Sequence, residues 1–581
     1  MHTLLTTLHS KFIHPSLALP YLAAYCGTAC GTIEIVEATV HEPRDNLLAL
    51  LLQHRPDVIA FSVYLWNREE TLALVDALHL IRPELRLVLG GPEVSYEQQE
   101  LWHHPGIRAI VRGEGEAPLR ALLHSWQRGE EPQGVARLSL RRADGSIAEG
   151  PDGPPLADLD TIPSPFAQGL VDCQRGFVYY ETSRGCPYRC AFCMSALDRQ
   201  VRSFSPARIE ADLLWLLRQR VPKIKLVDRT FNYDAARARE LFAFILRHNQ
   251  GSHLHFEIGA HLLDDDTLQL LRQVPAETFQ FEIGVQSCLP DSLRRVQRHA
   301  PFDQLSHAVR FLRQHSQIHL HLDLIAGLPG ESFAQICTNI DQVLALQPHH
   351  LQIEPLKLLP GAPLRQQATA LGLRFDPHPP YSVLVTPDLD FSELERLRGL
   401  SRLLDLTWNQ QRGRRFLQML QSHHGSASAA LLALTDFFQS RQLLRFPLTG
   451  RGLFERLASC IEHLYPPPLQ TRLVEALCAD YADAELVSVN NLPDFCVPRR
   501  CPTDNPALST AIGHSVDSRL ATLRGQGIKL QYLALHLPAA SDDDPARPIH
   551  LFFYLSGKGR PLHIEHQRLA WPGTSATSRQ P

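Results

Sequence analysis

From Phe177 to Leu356 the chain repeats one pattern six times: a short apolar or β-branched run, then a gap long enough for a crossover helix. The runs are Val178 to Thr182, Ile224 to Asp228, His255 to Gly259, Phe279 to Val285, Ile318 to Ile325 and Leu351 to Leu356. Helical periodicity fills the gaps at Pro206 to Arg218, Ala235 to Arg247 and Phe333 to Leu346. Parallel strands need crossovers of this kind, usually helices. The pattern therefore predicts an α/β fold with a parallel sheet. Six units fall short of a closed eight-unit barrel, so the expected form is an open, partial (β/α)6 barrel. Barrel active sites lie at the carboxyl ends of the strands, and Asp228, Glu282, Gln286 and Asp323 fall there.

The region before it, residues 1–130, alternates in a second way. Strands are expected at Thr3 to Leu8, Thr32 to Glu37, Val58 to Val63, Arg86 to Leu89 and Ala109 to Val111, with helices at Leu17 to Ala29 and Asp45 to Gln53. Two strands run into glycine turns, Gly90-Gly91-Pro92-Glu93 and Gly113-Glu114-Gly115-Glu116. A strand, a glycine turn and a helix make the βα unit of a doubly wound, Rossmann- or flavodoxin-like sheet. Residues 131–170 are rich in proline and glycine and read as a connector, with a strand pair across Arg137 to Ile147 turning at Asp144-Gly145. The barrel is assigned to residues 171–372. Residues 373–581 read as an α-rich domain, with helices at Ser392 to Leu404, Ala427 to Gln439 and Arg451 to Leu464, a strand at Ile549 to Leu555 and a frayed end from Pro572 to Pro581.

Of 581 residues, 44% are hydrophobic and 20% charged, which excludes a largely disordered chain. A net charge of −4 argues against broad electrostatic binding to nucleic acid or anionic membrane. No apolar stretch is long enough to span a bilayer, and Met1 to Lys11 lacks the pattern of a secretory signal. A cytoplasmic protein is expected. Twelve cysteines are too sparse for a disulfide scaffold. Three of them cluster, in Ser183-Arg184-Gly185-Cys186-Pro187-Tyr188-Arg189-Cys190-Ala191-Phe192-Cys193, just after the first barrel strand. Three close thiolates suit one metal centre, and an iron–sulfur cluster is the usual occupant. A structural zinc site, or three buried thiols, is the alternative. Structural zinc sites pair two C-x2-C hooks or add histidines at set spacing, and no second hook appears.

With this spacing the chain resembles the radical S-adenosylmethionine (SAM) superfamily over roughly residues 176–370. Cys186, Cys190 and Cys193 match its cluster loop and Phe192 the aromatic before the third cysteine. The segment Phe279 to Ser287, with Glu282 and Gln286, resembles the fourth-strand segment. Asp323 to Glu331, with Gly327 and Gly330, resembles the glycine motif beside the adenosyl group, and Asp228 falls where the family places SAM contacts. The resemblance implies a 4Fe-4S cluster on three cysteines with one iron open to SAM. It also implies reductive cleavage to a 5′-deoxyadenosyl radical, and an electron donor such as flavodoxin or ferredoxin.

The upstream domain resembles the cobalamin-binding domain of the cobalamin-dependent branch. Gly90, Gly91, Gly113 and Gly115 match positions near the cofactor's nucleotide tail; plain tight turns are the other reading. The D-x-H-x-x-G segment whose histidine ligates cobalt in many such domains is missing, and His14, His41 and His54 sit in other contexts. Cobalamin without a protein histidine ligand is therefore expected. The C-terminal region, with Tyr381-Ser382-Val383-Leu384 and Leu404 to Asn409, resembles an uncharacterised extension of one subgroup. The resemblance favours methylation of an unactivated carbon of an unidentified substrate, with rearrangement or cyclisation as variants. A methylthiotransferase is a second reading, weakened because the N-terminal domain holds only Cys26 and Cys30. A non-catalytic cobalamin or redox sensor is a third. Cys288, Cys496 and Cys501 read as packing thiols.

Overall fold

The computed structural model describes residues 1–11, 14–487, 491–501, 505–537, 549–557 and 560–569. Residues 1–333, 346–348 and 354–394 make one compact unit, and residues 334–345, 349–353 and 395–581 a second.

In the first unit, β1 (His2–His9), β2 (Thr32–Thr39), β3 (Val58–Ser62), β4 (Arg86–Gly90) and β5 (Ile107–Val111) form a parallel sheet in the order β2-β1-β3-β4-β5. β3 is buried along its whole length, as the continuous apolar run Val58-Ile59-Ala60-Phe61 requires of a strand covered on both faces. The helices Arg44–Gln53 and Arg68–Ile81 supply one apolar layer, through Leu47, Leu51, Leu74, Val75 and Leu78. Ala18–Cys26 and Glu116–Gln127 supply the other, through Leu19, Leu119, Leu122 and Trp126. This is the flavodoxin-like order. Its switch point lies between β1 and β3, and ligands of such sheets sit beyond the strands' carboxyl ends there.

The hairpin of β6 (Leu138–Arg141) and β7 (Ile147–Glu149) adds two antiparallel strands to this sheet. The segment read as part of a connector is thus recruited to an edge. Val111 pairs with Leu138, and Leu138 and Leu140 are buried in the same core as β5.

The barrel follows. β8 (Phe177–Tyr180) leads into a small antiparallel pair, β9 (Ser183–Arg184) with β10 (Arg202–Ser203), whose connection carries the three cysteines. β11 (Lys223–Leu226), β12 (His253–Ile258), β13 (Phe279–Gln286), β14 (His319–Ala326) and β15 (His350–Pro355) complete a six-stranded sheet in sequence order. Burial alternates strictly along β13 and β14, so Phe279, Phe281 and Ile283 are buried while Glu282, Gln286 and Asp323 keep access to the opposite face. Phe256, Phe279 and Phe281 pack with Phe242 of helix Ala235–His248 at ring distances of 5.1–6.2 Å. The α/β fold and the partial barrel are as the sequence predicts.

After two short strands, β16 (Arg374–Phe375) and β17 (Val383–Val385), the chain turns helical at Phe391–Leu404. The second unit continues with Arg414–His424, Ala427–Ser440, Gly450–Leu464, Pro467–Ala484 and Pro506–Thr522. Buried Asp480 accepts the backbone N–H groups of Arg415 and Phe416 at 3.2 and 2.9 Å, capping a helix start from a neighbouring helix. The α-rich reading is incomplete. β18 (Lys529–His536), β19 (Ile549–Gly557) and β20 (Arg560–Leu569) form an antiparallel sheet, in which only β19 was expected. The end expected to fray, Pro572 to Pro581, lies outside the described residues. No helix among the described residues is long and apolar enough to cross a membrane.

Candidate active site

The cysteine loop is held by four backbone bonds, one of them internal. Cys186 N–H donates to Asp198 O (2.9 Å), Ala191 N–H to Val296 O (2.8 Å), Cys193 N–H to Cys190 O (3.0 Å) and Leu364 N–H to Ala191 O (2.8 Å). Gly185 opens the loop at φ +90°, and a Cβ there would stand 2.4 Å from Gln200 O, so only glycine fits. Asp228 anchors the loop from beneath. Its carboxylate, 1% exposed, accepts from Thr182 N–H (3.0 Å), Thr182 Oγ1 (2.5 Å) and Ser183 Oγ (2.5 Å). Three acceptor sites are thus used within the protein, and Asp228 is not in the lining of the cavity that the cysteines face.

That cavity, of about 200 Å³, lies at the carboxyl ends of the barrel strands. Cys186, Cys190, Phe192 and Cys193 line it together with Glu282, Gln286 and Asp323, so seven of the expected residues meet there. Gly327 and Gly330 are not in the lining; Gly330 N–H donates to Asp388 at 3.1 Å. Among the described residues, no three His, Cys, Asp or Glu side chains are drawn close enough to share one ion. Two of the thiols have neighbours of their own. Arg298 Nη1 donates to Cys190 Sγ at 3.6 Å, and Cys186 Sγ meets Thr230 Oγ1 at 3.8 Å. Burial raises the Cys190 thiol and the Arg298 guanidinium offsets part of that rise. Three cysteines on one pinned loop, beside a hydrogen-bonding cation, make a donor set suited to a cluster rich in thiolate ligands.

Sequence reasoning missed several other polar residues of the lining: Tyr188, Arg229, Thr230, Glu257, His261, Arg298 and His299. Glu257 is the penultimate residue of β12, and burial pushes its carboxyl up to about 7, with Arg229 opposing that rise. The His255 hydrogen bond (3.0 Å) holds Glu282 below its usual value, while burial raises Asp323. His261 accepts or donates at 3.0 Å with Tyr188 OH, and burial lowers it to about 4, so it is neutral near pH 7. Gln286 has φ +68°, at a register shift between β13 and β14, and its side chain reaches back past Gly284. A non-glycine residue held in the left-handed region at a strand's end is a frequent mark of a functional site. The bulge is legible only in the structure.

A second cavity, of about 830 Å³, lies over the carboxyl ends of β1, β3, β4 and β5. Ligand pockets span roughly 300–1,000 Å³. Gly90, Gly91, Gly113 and Gly115 all line it, with Leu17, Leu19, Tyr21, Tyr64 and Tyr96. Gly91 has φ +106°, and a Cβ would stand 2.5 Å from Val63 O. The glycine is thus required by close strand packing as well as by the turn. No histidine is among the described lining residues. The wall toward the barrel is an ion-pair network: Arg184 Nη2 meets Glu116 and Glu181, each at 2.7 Å, and Arg202 Nη2 meets Glu114 at 2.5 Å. The two cavities share Ser195 and Arg229. Two further contacts tie the sheet to later chain: Tyr381 OH donates to buried Glu93 at 2.8 Å, and Arg365 pairs with Glu97 at 2.7 Å.

Comparisons with known proteins match this division. Residues 4–123 match the B12 binding domain, residues 180–343 the radical SAM superfamily, and residues 370–515 a protein family of unknown function (DUF4080). The cobalamin-dependent radical SAM methyltransferase TokK of Streptomyces tokunonensis is 28% identical over 433 residues, taking in 68% of this chain and 60% of that protein. The chain thus spans less than two thirds of that relative's length. Among solved structures, the cobalamin-dependent SAM radical enzyme OxsB with aqua-cobalamin bound superposes with a TM-score of 0.57 at 15% identity, covering 82% of this chain and 80% of that one. The radical SAM methyltransferase TsrM of Kitasatospora setae, with cobalamin and a 4Fe-4S cluster bound, gives 0.54 at 19% identity, covering 65% and 80%. The chain therefore carries a B12-binding domain followed by a radical SAM domain and a C-terminal extension of unknown function, and is homologous to the cobalamin-dependent radical SAM methyltransferases.

Proposed function

We propose that this chain is a cobalamin-dependent radical SAM enzyme that methylates an unactivated carbon of an organic substrate. When bound, a 4Fe-4S cluster with SAM supplies a 5′-deoxyadenosyl radical, and cobalamin supplies a methyl group. The observation that carries the reading is the sharing of Ser195 and Arg229 by the cysteine-lined cavity and the cavity over the doubly wound sheet. Groups held in both cavities can then act on one carbon.

In this reading Cys186, Cys190 and Cys193 hold the cluster, and Arg298 steadies Cys190 by its hydrogen bond. Phe192, Glu282, Gln286 and Asp323 line the SAM side, while Gly327 and Gly330 shape the turn after β14. Gly90, Gly91, Gly113 and Gly115 let backbone approach the corrin's tail, and Asp228 orients the cysteine loop through Thr182 and Ser183. The Arg184 and Arg202 ion pairs tie the sheet to the barrel between the two cavities. A cytoplasmic location and a reductant of the flavodoxin or ferredoxin kind belong to the same proposal.

The test is anaerobic purification with cluster reconstitution, followed by assay of bound cobalamin, 5′-deoxyadenosine and S-adenosylhomocysteine. All three are expected. Bound cobalamin without 5′-deoxyadenosine above background would replace the enzyme with a sensor.

A further inference from the structure

We infer that Arg229 is an anion anchor at the junction of the two cavities, so that the substrate carries a carboxylate or phosphate close to the carbon that reacts. This rests on the proposed function: a carbon served from both cavities must sit where they meet, and among the described residues only Ser195 and Arg229 line both.

The backbone there is fixed and the side chain is not. Asp228, one residue before, is clamped by Thr182 and Ser183, and Arg229 O accepts Thr230 Oγ1 at 2.7 Å. The Arg229 side chain itself is exposed. Among the described residues its guanidinium makes no ion pair and no hydrogen bond.

The other arginines of both linings differ in this respect. Arg112 is bound to Asp152 (2.9 Å) and Gly150 O (2.6 Å), and Arg137 to Gly153 O (2.6 Å). Arg184 is bound to Glu116 and Glu181, and Arg298 to Gly284 O and Cys190. Four of the five cavity arginines are therefore building elements, and one keeps its donors open. The carboxylates of the smaller cavity do not absorb that charge. Glu282 pairs with His255 at 3.0 Å and Asp323 with His321 at 3.1 Å. Glu257 lies near Arg229 without an ion pair among the described residues, and burial favours its neutral form. A guanidinium is always charged, and its planar fork matches carboxylate or phosphate oxygens. When a substrate displaces the water around it, an anionic group restores what the water provided, whereas a neutral group leaves the charge short of partners.

SAM's own carboxylate and the phosphate of cobalamin share this chemistry, so the experiment separates the sources. The protein used is the full chain with cluster reconstituted, cobalamin loaded and SAM at saturation, without reductant, so that nothing turns over. Inorganic phosphate is the probe, measured by calorimetry in the parent, R229Q and R229K. Phosphate binding is expected in the parent, weakened about tenfold or more in R229Q and partly kept in R229K, as loss of a charge-assisted contact implies. SAM and cobalamin affinities should be the same in all three. Equal phosphate binding in parent and R229Q overturns the anchor. A fall in SAM or cobalamin affinity confined to R229Q assigns the guanidinium to that cofactor and overturns the substrate claim. Failure of the parent to bind SAM or cobalamin sinks the proposed function instead. Labelling of the parent with phenylglyoxal, mapped by peptide mass spectrometry, needs no variant. Arg229 should react faster than Arg112, Arg137, Arg184 and Arg298, and phosphate should protect it with both cofactors in place. Arg229 reacting no faster than those four, or without phosphate protection, also overturns the anchor.

Discussion

The larger cavity is walled by strand ends, aliphatic side chains and glycine turns; the smaller is lined mainly by individual polar side chains, its thiols, carboxylates, imidazoles and guanidiniums. A site made of backbone tolerates many side-chain changes but not an added Cβ at its turns. A site made of individual charged side chains fails one residue at a time. If that contrast is sound, single substitutions in the two linings should differ in kind as well as in size.

Cys190→Ala should show the largest effect. Iron and sulfide after reconstitution should fall far below the parent, and 5′-deoxyadenosine formation should cease while cobalamin content is unchanged. Loss of cobalamin together with the cluster would mean that the two cavities are not separately built. Next is Arg184→Leu, which strips the larger cavity's wall toward the barrel of its central cation and leaves buried Glu116 and half-buried Glu181 without it. Breaking a buried pair from one side costs ~3–5 kcal/mol, measured as a drop in the denaturant midpoint of the apo protein. Gly91→Ala forces a side chain into an extended, positive-φ conformation (φ +106°, ψ +174°) that essentially only glycine adopts, at ~1–3 kcal/mol, and adds the contact with Val63 O. Cobalamin binding should weaken with cluster assembly intact, the mirror image of Cys190→Ala.

Glu257→Gln should have the smallest effect, one that depends on pH. The fold raises this carboxyl to about 7, so its neutral form is favoured. Its contribution is fully present below the ordinary glutamate value and is lost as pH rises through 7. Glutamine stays neutral throughout. Relative to the parent, the variant should therefore gain stability between pH 5 and pH 8, by ~1 kcal/mol once its partial access to cavity water is discounted. Thermal melts of both proteins at the two pH values check the sign.

The same contrast governs what could be read in the sequence. The strands of both sheets are short apolar runs between glycine, proline and polar breaks, and the cysteine spacing is a local pattern; each is legible within a dozen residues. Arg298 reaches Cys190 across 108 residues, and Arg229 gains its meaning only from the two walls that it joins. Nothing in a local window distinguishes the open guanidinium of Arg229 from the bound one of Arg184. β18 and β20 escaped for another reason: β18 turns much of its length outward, and Leu562, Ile564 and Leu569 of β20 are scattered among polar residues, so neither strand carries a clean apolar alternation.

The bond from Tyr381 to Glu93 spans 288 residues. At synthesis rates of roughly 5–20 residues per second, Glu93 emerges on the order of 15–60 seconds before its hydroxyl partner. Through that interval the carboxyl that ends up buried has the Arg68 guanidinium 4.0 Å away but not its hydroxyl donor. A nascent chain cut short before Tyr381 should therefore carry a formed sheet whose turn after β4 is loosened at Glu93. The domain that is made first is among the last to be completed.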